Sequence, residues 1–492
     1  MEYTEFVLSD EFAVNFSSEI LEDTSSDTTR VILAGEERVR SYLAPYGAES
    51  EEINFVCNHL EHISFFWSYH GGKKTLIAAC KDQKDLYLRN LGVQVVDQLL
   101  MLKTKQVDIF VDKDIIVEKA KHFIQSALLW NYKFEMKTRG KTHLLSEFNF
   151  KFERPLTNED LPELDFYKTA VFSTLMVRDM INTRANVATP EYMEKIIRHI
   201  SSSTDKIPSF NVIQGKELEE QGLEIFYSVG KGAAIDPRLV HFVYKGNPDS
   251  EDIEYAIVGK GITFDAGGLN IKLKPEDMYC DKTGACTTAG ILKGVIELEL
   301  KINICFAFAI AENSVDANSY RPSDIYKSYK GLTVEIANTD SEGRLVLIDT
   351  FSYIQEQYNP KRIIDLATLT GTTMIALGDK ANGLFTNDEE FAKAYITRGK
   401  EMHENSWILP IFEEHKQDMI SDVSDLMNRG PDTKGHSSRA AAFMLNFINE
   451  GTSWLHVDYY GPAHLKSANP PHPKYATGFN TQTVLNLLRK HE

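Results

Sequence analysis

Apolar residues in LRNLGVQVVDQLLMLKT (88–104) recur at helical spacing, as do those of DIIVEKAKHFIQSALLWNYKF (114–134). Between them, QVDIFVD alternates as a short strand does. This alternation of element types predicts an α/β unit in the first third of the chain. The polar, proline-containing stretch ERPLTNEDLPELD (153–165) has no apolar period and reads as an interdomain linker. The expected organisation is an N-terminal domain over 1–155, a linker over 156–166 and a C-terminal domain over 167–492. A helix, FYKTAVFSTLMVRDMINT, opens that second domain and ends near ANVATPEY. Beyond it, HFVYKG, YAIVGKGITF, INICFAFAIA and RIIDLATL are short, apolar and rich in β-branched residues, without clean alternation. That is the pattern of strands buried on both faces. The expected fold class is α/β with two domains, each a sheet with flanking helices, the C-terminal sheet mixed but mostly parallel. Functional groups in such sheets gather beyond the carboxyl ends of strands. No repeat or long low-complexity tract is present, and DTSSDTT near residue 25 is a short polar loop.

A chain of 492 residues exceeds one ordinary core, which agrees with two domains. The net charge of −18 disfavours nucleic acid and anionic membrane as main partners. Five cysteines, Cys57, Cys80, Cys280, Cys286 and Cys305, form no CxxC pair and no disulfide framework, so a reducing compartment is expected. The acidic start MEYTEFVLSDEFAVNF lacks the features of a signal peptide, and ICFAFAIA (304–311) is too short to span a bilayer. A cytoplasmic location is the expectation.

The chemistry lies in three charged stretches. In ANTDSEGRLVLIDT (337–350), Asn338, Asp340, Glu342 and Arg344 occupy alternate positions. An extended segment would put them on one face. Burying such like charges is costly unless something compensates. In VGKGITFDAGGLNIK (258–272), Lys260 at a strand end is followed by Asp265, a Gly267-Gly268 turn and Lys272. Its glycine spacing fits neither the dinucleotide fingerprint nor the phosphate loop. In MYCDKTGACTTAGIL (278–292), Asp281 precedes a small-residue run that starts a helix, where capping is the alternative role. Cys280 and Cys286 read as small buried residues, because thiolate sites need more partners. Taken singly, each charged residue reads as a solvated loop residue. Together Asp265, Asp281, Asp340 and Glu342 supply the charge that balances two divalent cations, with oxygen ligation suited to Zn²⁺, Mn²⁺, Co²⁺ or Mg²⁺. Beside such cations Lys260 would lose its proton and serve as a nitrogen ligand. Arg344 stays protonated, so it cannot be a base but can hold a small oxyanion.

These blocks, with DLATLTG (365–371), resemble the cytosolic leucine aminopeptidase family, the M17 metallopeptidases. NTDSEGRL differs from the family's usual NTDAEGRL by one small residue. RDMINTRANVATPEY (178–192), AENSVDANSYRPSDI (311–325) and WLHVDYYGPA (454–463) support the resemblance, and SALLWNYKF (126–134) is similar to the end of the family's N-terminal domain. The resemblance is strong from about 165 to 480 and weak before 120. It implies a binuclear site that removes N-terminal amino acids from peptides, with a leucine-type preference. Lys260, Asp265, Asp281 and Glu342 would hold the tighter metal, and Asp265, Asp340 and Glu342 the exchangeable one. A bicarbonate at Arg344 would act as general base and Lys272 would polarise the scissile carbonyl. Leu369 and Gly371 would bind the substrate backbone, Met278 would line the pocket for the first side chain, and Asn338 and Thr368 join the expected substrate site. Family members form homohexamers with active sites facing an internal cavity.

Three features depart from the family pattern. The stretch from Lys272 to Asp281 is two residues shorter, Lys282 in DKTGAC stands beside a ligand, and ATGFNTQTV near 476 lacks the usual arginine. Rival readings are a weak or inactive member with an assembly or regulatory role, a nucleic-acid-binding protein, and another two-metal hydrolase. The intact ligand set, the net charge and TLTG respectively argue against these, and the absence of HExxH disfavours a zincin-type protease.

Overall fold

The structure is a computed structural model that describes residues 12–19, 29–35, 38–39, 65–70, 73–80, 84–137 and 139–491. Cys57 and most of the polar stretch near residue 25 lie outside the described residues. The described chain divides into two compact units, one spanning 9–175 and 467–474, the other 176–466 and 475–492.

The first unit is built on a six-stranded sheet. Its strands are β1 (Ala13–Ser18), β2 (Thr29–Gly35), β3 (Phe65–His70), β4 (Lys73–Cys80), β5 (Gln106–Val111) and β6 (Glu147–Phe152), in the order β1-β6-β5-β2-β4-β3. All neighbours run parallel except the antiparallel pair β3/β4. The two expected helices are α1 (Asp85–Met101) and α2 (Val117–Trp130), and their apolar stripes join the core of this unit.

The expected linker is where α3 (Asp160–Asn182) begins. Thr157 and Asp160 form a reciprocal cap: the Asp160 amide donates to Thr157 Oγ1 at 3.2 Å, and the Thr157 amide donates to Asp160 Oδ2 at 2.9 Å. That cap turns a polar stretch without apolar period into a helix start, and the division between units falls inside α3 rather than at 156–166.

The second unit holds an eight-stranded mixed sheet. Its strands are β7 (Asn211–Gln214), β8 (Arg238–Lys245), β9 (Tyr255–Asp265), β10 (Asn303–Asn313), β11 (Arg362–Ala367), β12 (Ala381–Thr386), β13 (Asn405–Ile408) and β14 (Ser453–Asp458). Their order is β13-β12-β14-β11-β9-β10-β8-β7. The centre, β14-β11-β9-β10, is parallel, whereas β12/β14, β10/β8 and β8/β7 are antiparallel. The expected mixed, mostly parallel sheet is thus present.

Helices cover both faces of the centre. Ala256, Val258 and Ile262 of β9 share a core with Leu345, Ile348 and Phe351 of α5 (Gly343–Tyr358). The intervening Gly259 and Gly261 lie against Ala285 of α4 (Thr283–Glu297). Burial on both faces explains why these strands lack alternation. Among the described residues no helix is long and apolar enough to cross a membrane.

Phe351 is fully buried about two turns into α5, the helix that issues from the acidic loop. Phe351→Ala should lower the free energy of unfolding by about 3–5 kcal/mol, because the cavity adds to the lost transfer energy. Denaturant titration of the two proteins measures it.

Candidate active site

The parallel centre delivers its groups at one edge. Asp265 ends β9, while Lys260 lies inside that strand and not at its end, as the sequence reading had it. Gly267 and Gly268 adopt positive φ, +90° and +61°, which permits the tight turn after Asp265. The Lys272 amide then donates to the Ala266 carbonyl at 2.9 Å, bringing its side chain back over the strand end. Asp281 follows the short turn Met278–Cys280 and does not cap α4, whose N-cap is Lys282. Its Oδ1 instead accepts from Lys260 Nζ at 2.9 Å and from the Thr368 hydroxyl, beyond β11, at 2.9 Å.

The stretch 337–342 is not the extended segment expected from its alternation. Asn338 Oδ1 accepts the Asp340 amide at 2.7 Å, closing a local turn, and α5 begins at Gly343. Asp340 and Glu342 therefore reach the site from a loop and Arg344 from the first turn of a helix. Asn428 staples this loop: its Oδ1 accepts from the Ala337 and Asn338 amides at 2.8 and 3.1 Å. Asn313, at the end of β10, donates to Asp265 Oδ1 at 2.8 Å and to the Thr339 carbonyl at 3.0 Å.

One carboxylate oxygen each from Asp265, Asp340 and Glu342 lie within 4.8 Å of one another, a group able to hold a metal ion. Asp281 joins them through Lys260, whose Nζ is 2.8 Å from Asp281 Oδ2 and 2.9 Å from Glu342 Oε1. Lys272 Nζ is 2.8 Å from Asp265 Oδ2 and pairs with Asp340 as well. Two ammonium groups thus face four carboxyl groups in a buried site. The deficit of positive charge shows in the titration of the acids. Burial, then the charge of Glu342, pushes Asp265 up to about 6. Burial likewise raises Asp281 and Asp340. Burial also opposes ionisation of Glu342, but Lys260 and Lys272 outweigh it and hold that carboxyl at about 2. Lys260 keeps its proton here: burial disfavours the ammonium, yet Asp281, Glu342 and Asp265 outweigh it and raise its pKa. A site short of positive charge among oxygen ligands is chemically suited to divalent cations.

These groups line a cavity of about 240 Å³. Of the expected site residues, Lys260, Asp265, Lys272, Asp281, Asp340 and Glu342 are on its wall, with Met278, Thr368, Leu369 and Gly371. Asn338 and Arg344 are not on that wall. Arg344 is 1% exposed, and its Nη1 donates to the Asn428 carbonyl at 2.7 Å. Its buried Nε has no partner among the described residues, and burial lowers its pKa to about 10. Arg429, His436 and Tyr460 complete the lining. Sequence reasoning missed all three. Tyr460 lay in a stretch quoted for its resemblance, whereas Arg429 and His436 carried no signal in the unremarked stretch LMNRGPDTKGHSS. Lys282, the unexpected neighbour of a ligand, points away: its ammonium donates to the carbonyls of Ile181, Thr183 and Tyr279. Cys280 and Cys286 are buried thiols, pushed up to about 12 by that burial, in keeping with their expected role as small core residues.

A family model described as the cytosol aminopeptidase family, catalytic domain, matches residues 175–485, the unit that bears this cavity. The chain belongs to that family, peptidase M17. By that membership it is a metallo-aminopeptidase. It is 34% identical over 436 residues to a protein of Aquifex aeolicus (strain VF5), covering 87% of this chain and 85% of that one. A protein of Fusobacterium nucleatum subsp. nucleatum is 34% identical over 452 residues, covering 90% and 89%. One of Protochlamydia amoebophila (strain UWE25) is 38% identical over 315 residues, but that match spans only 62% of the relative's length and 64% of this chain. All three are named "Probable cytosol aminopeptidase". Among solved structures, a mutant of tomato leucine aminopeptidase matches with TM-score 0.86 and 23% identity, covering 98% of this chain and 97% of that one. The bottromycin maturation enzyme BotP in complex with Mn matches with TM-score 0.80 and 24% identity, covering 94% and 99%. These likenesses show that the aminopeptidase shares their fold.

Gly343, next to Glu342, lies so close upon Lys260 that an added Cβ would meet its Nζ at 2.5 Å. Gly343→Ala should displace that ammonium and weaken divalent-cation binding at least about tenfold, a loss of the size seen when groups supporting metal ligands are changed. Metal titration against a chromogenic chelator, with far-ultraviolet circular dichroism as the control for folding, measures the change.

Proposed function

We propose that this chain is a two-metal aminopeptidase that releases N-terminal residues, leucine-type ones preferred, from peptides. The observation that carries the reading is the convergence of four carboxyl groups, paired among the described residues with the ammoniums of Lys260 and Lys272, on the wall of one cavity. Lys260, Asp265, Asp281 and Glu342 would hold the tighter ion, and Asp265, Asp340 and Glu342 the exchangeable one, with Asp265 and Glu342 shared. Zn²⁺ or Mn²⁺ suits this donor set, and Co²⁺ or Mg²⁺ is compatible with it. When bound, the two cations supply Lewis acidity and lower the pKa of water held between them.

The chain's own residues do the rest. With cations bound, Lys260 would serve as a neutral nitrogen donor, because an ammonium beside them is disfavoured. Lys272, on the cavity wall, would supply a positive charge to stabilise the oxyanion that develops at the scissile carbonyl. The Leu369 carbonyl and the Gly371 amide orient the substrate backbone, and Met278 meets the first side chain. Asn338 shapes the ligand loop through the Asp340 amide, in support of the substrate site it was expected to join.

The unpaired Nε of buried Arg344 fits an oxyanion, and bicarbonate at that guanidinium would supply the general base. The homohexamer and the cytoplasmic location belong to this reading on the family resemblance, with peptides as the partners.

Chelation should abolish hydrolysis of leucine amides, and Mn²⁺ or Zn²⁺ should restore it; full activity in chelator would overturn the metal mechanism. A second expectation concerns stability. Asp265 is raised to about 6 in the folded chain, so its proton favours the metal-free fold in acid, and that contribution fades as pH rises through about 6. Cations bind the ionised form and compete with that proton. The rise in melting temperature on adding Mn²⁺ should therefore be larger at about pH 7.5 than at about pH 5, as read by differential scanning calorimetry.

A further inference from the structure

The cavity carries a second group of polar atoms that the metal chemistry leaves unused. Arg429 is half-buried on its wall and makes no hydrogen bond or ion pair among the described residues. His436 lies on the same wall, its Nε2 3.3 Å from Arg344 Nη2. A guanidinium can only donate, so this contact makes Nε2 the acceptor and leaves the ring proton on Nδ1. Nδ1 is buried and has no partner among the described residues. Burial, then the charges of Arg344, Arg429 and Arg439, lowers the pKa of His436 to about 3, so the ring is a neutral donor. His436 also opens a ten-residue helix, α6 (His436–Leu445), whose N-terminal amides add to the positive potential.

Among the described residues the Arg429 fork and the His436 Nδ1–H have no partner. An unpaired guanidinium beside an unpaired N–H matches a carboxylate in shape and charge. An aminopeptidase substrate offers a carboxylate in two places near the reacting bond. One is the C-terminus of a dipeptide; the other is an acidic side chain on the second residue. Either lies about one residue, roughly 3.5 Å of chain, beyond the scissile carbonyl. A volume of 240 Å³ is below the roughly 300 Å³ at which ordinary small-molecule pockets begin, which suits short substrates.

We propose that Arg429 and His436 bind a carboxylate on the residue that follows the scissile bond, so that this enzyme selects dipeptides, or peptides with an acidic second residue, over neutral ones. The proposal rests on the aminopeptidase reading above and adds a substrate class to it.

The test compares kcat/KM of the metal-loaded enzyme on leucyl-glycine, leucyl-glycinamide and the α-amide of leucyl-aspartic acid. The wild type should favour at least one of the two carboxylate substrates over the glycinamide by about tenfold or more, as expected of a charge-assisted contact, and mainly through KM. Preference for leucyl-glycine identifies the terminal carboxylate, and preference for the aspartyl amide the side chain. In Arg429→Gln the ratio should fall to near unity, and Arg429→Lys should retain part of it. Equal kcat/KM on all three substrates in the wild type overturns the proposal and leaves the aminopeptidase reading standing. So does a ratio that survives in Arg429→Gln, or a loss there that is equal for all three, as an arginine serving only the Arg344 anion would give. Failure of the metal-loaded wild type to cleave any of them overturns both.

Discussion

The constraint on which the catalytic unit depends is the burial of acids without enough positive charge to balance them. Asp265, Asp281, Asp340 and Glu342 come from three stretches of chain, and among the described residues Lys260 and Lys272 form ion pairs with them. Isolated carboxylates could not persist at such burial. The surrounding fold therefore has to hold them against their own repulsion. It does so with neutral groups: Asn313 donates to Asp265, the Thr368 hydroxyl donates to Asp281, and Asn338 Oδ1 accepts the Asp340 amide. These groups position the acids and leave the charge deficit in place, which is the condition for taking up cations.

The same division of labour extends to the other side of the cavity. Asn428 gives its carbonyl to Arg344 and its side chain to the loop that carries Asp340, so the buried guanidinium and the acidic loop share one support. Asp458 plays a comparable part behind the turn at 369–371, accepting from the Leu369 and Thr370 amides at 3.1 and 3.3 Å. Rigid backbone at 369–371 follows from that contact, and rigid backbone is what an extended peptide needs for its hydrogen bonds. Lys282 extends the principle to α3, since its three carbonyl acceptors include Ile181 near the end of that helix.

Much of the site was legible in the sequence because its chemistry is concentrated in short runs. VGKGITFDAGG, MYCDKTGA and NTDSEGRL each keep their functional residues within a few positions of one another. The strands of the second unit were legible for a related reason, since burial on both faces leaves an uninterrupted apolar run. The extended reading of 337–344 was not correct, and of its four residues Asp340 and Glu342 are on the cavity wall. Alternate spacing is shared by a strand and by an Asx turn that runs into a helix, and the pattern alone does not separate them. The start of α3 was missed because a capping box is made of the same polar residues as a linker.

What the sequence determined by itself was therefore the fold class, the family, and the short runs that carry the clustered carboxyl and ammonium groups, each written in local order. Only the tertiary structure decided which charges are left unpaired. Arg429 and His436 stand in one short stretch, and their meaning depends on a guanidinium and a ring Nδ1 that have no partner in space among the described residues, a property with no local signature. A hydrogen bond between residues 92 positions apart, such as Arg344 to His436, exists only once the sheet has brought two distant loops to the same edge.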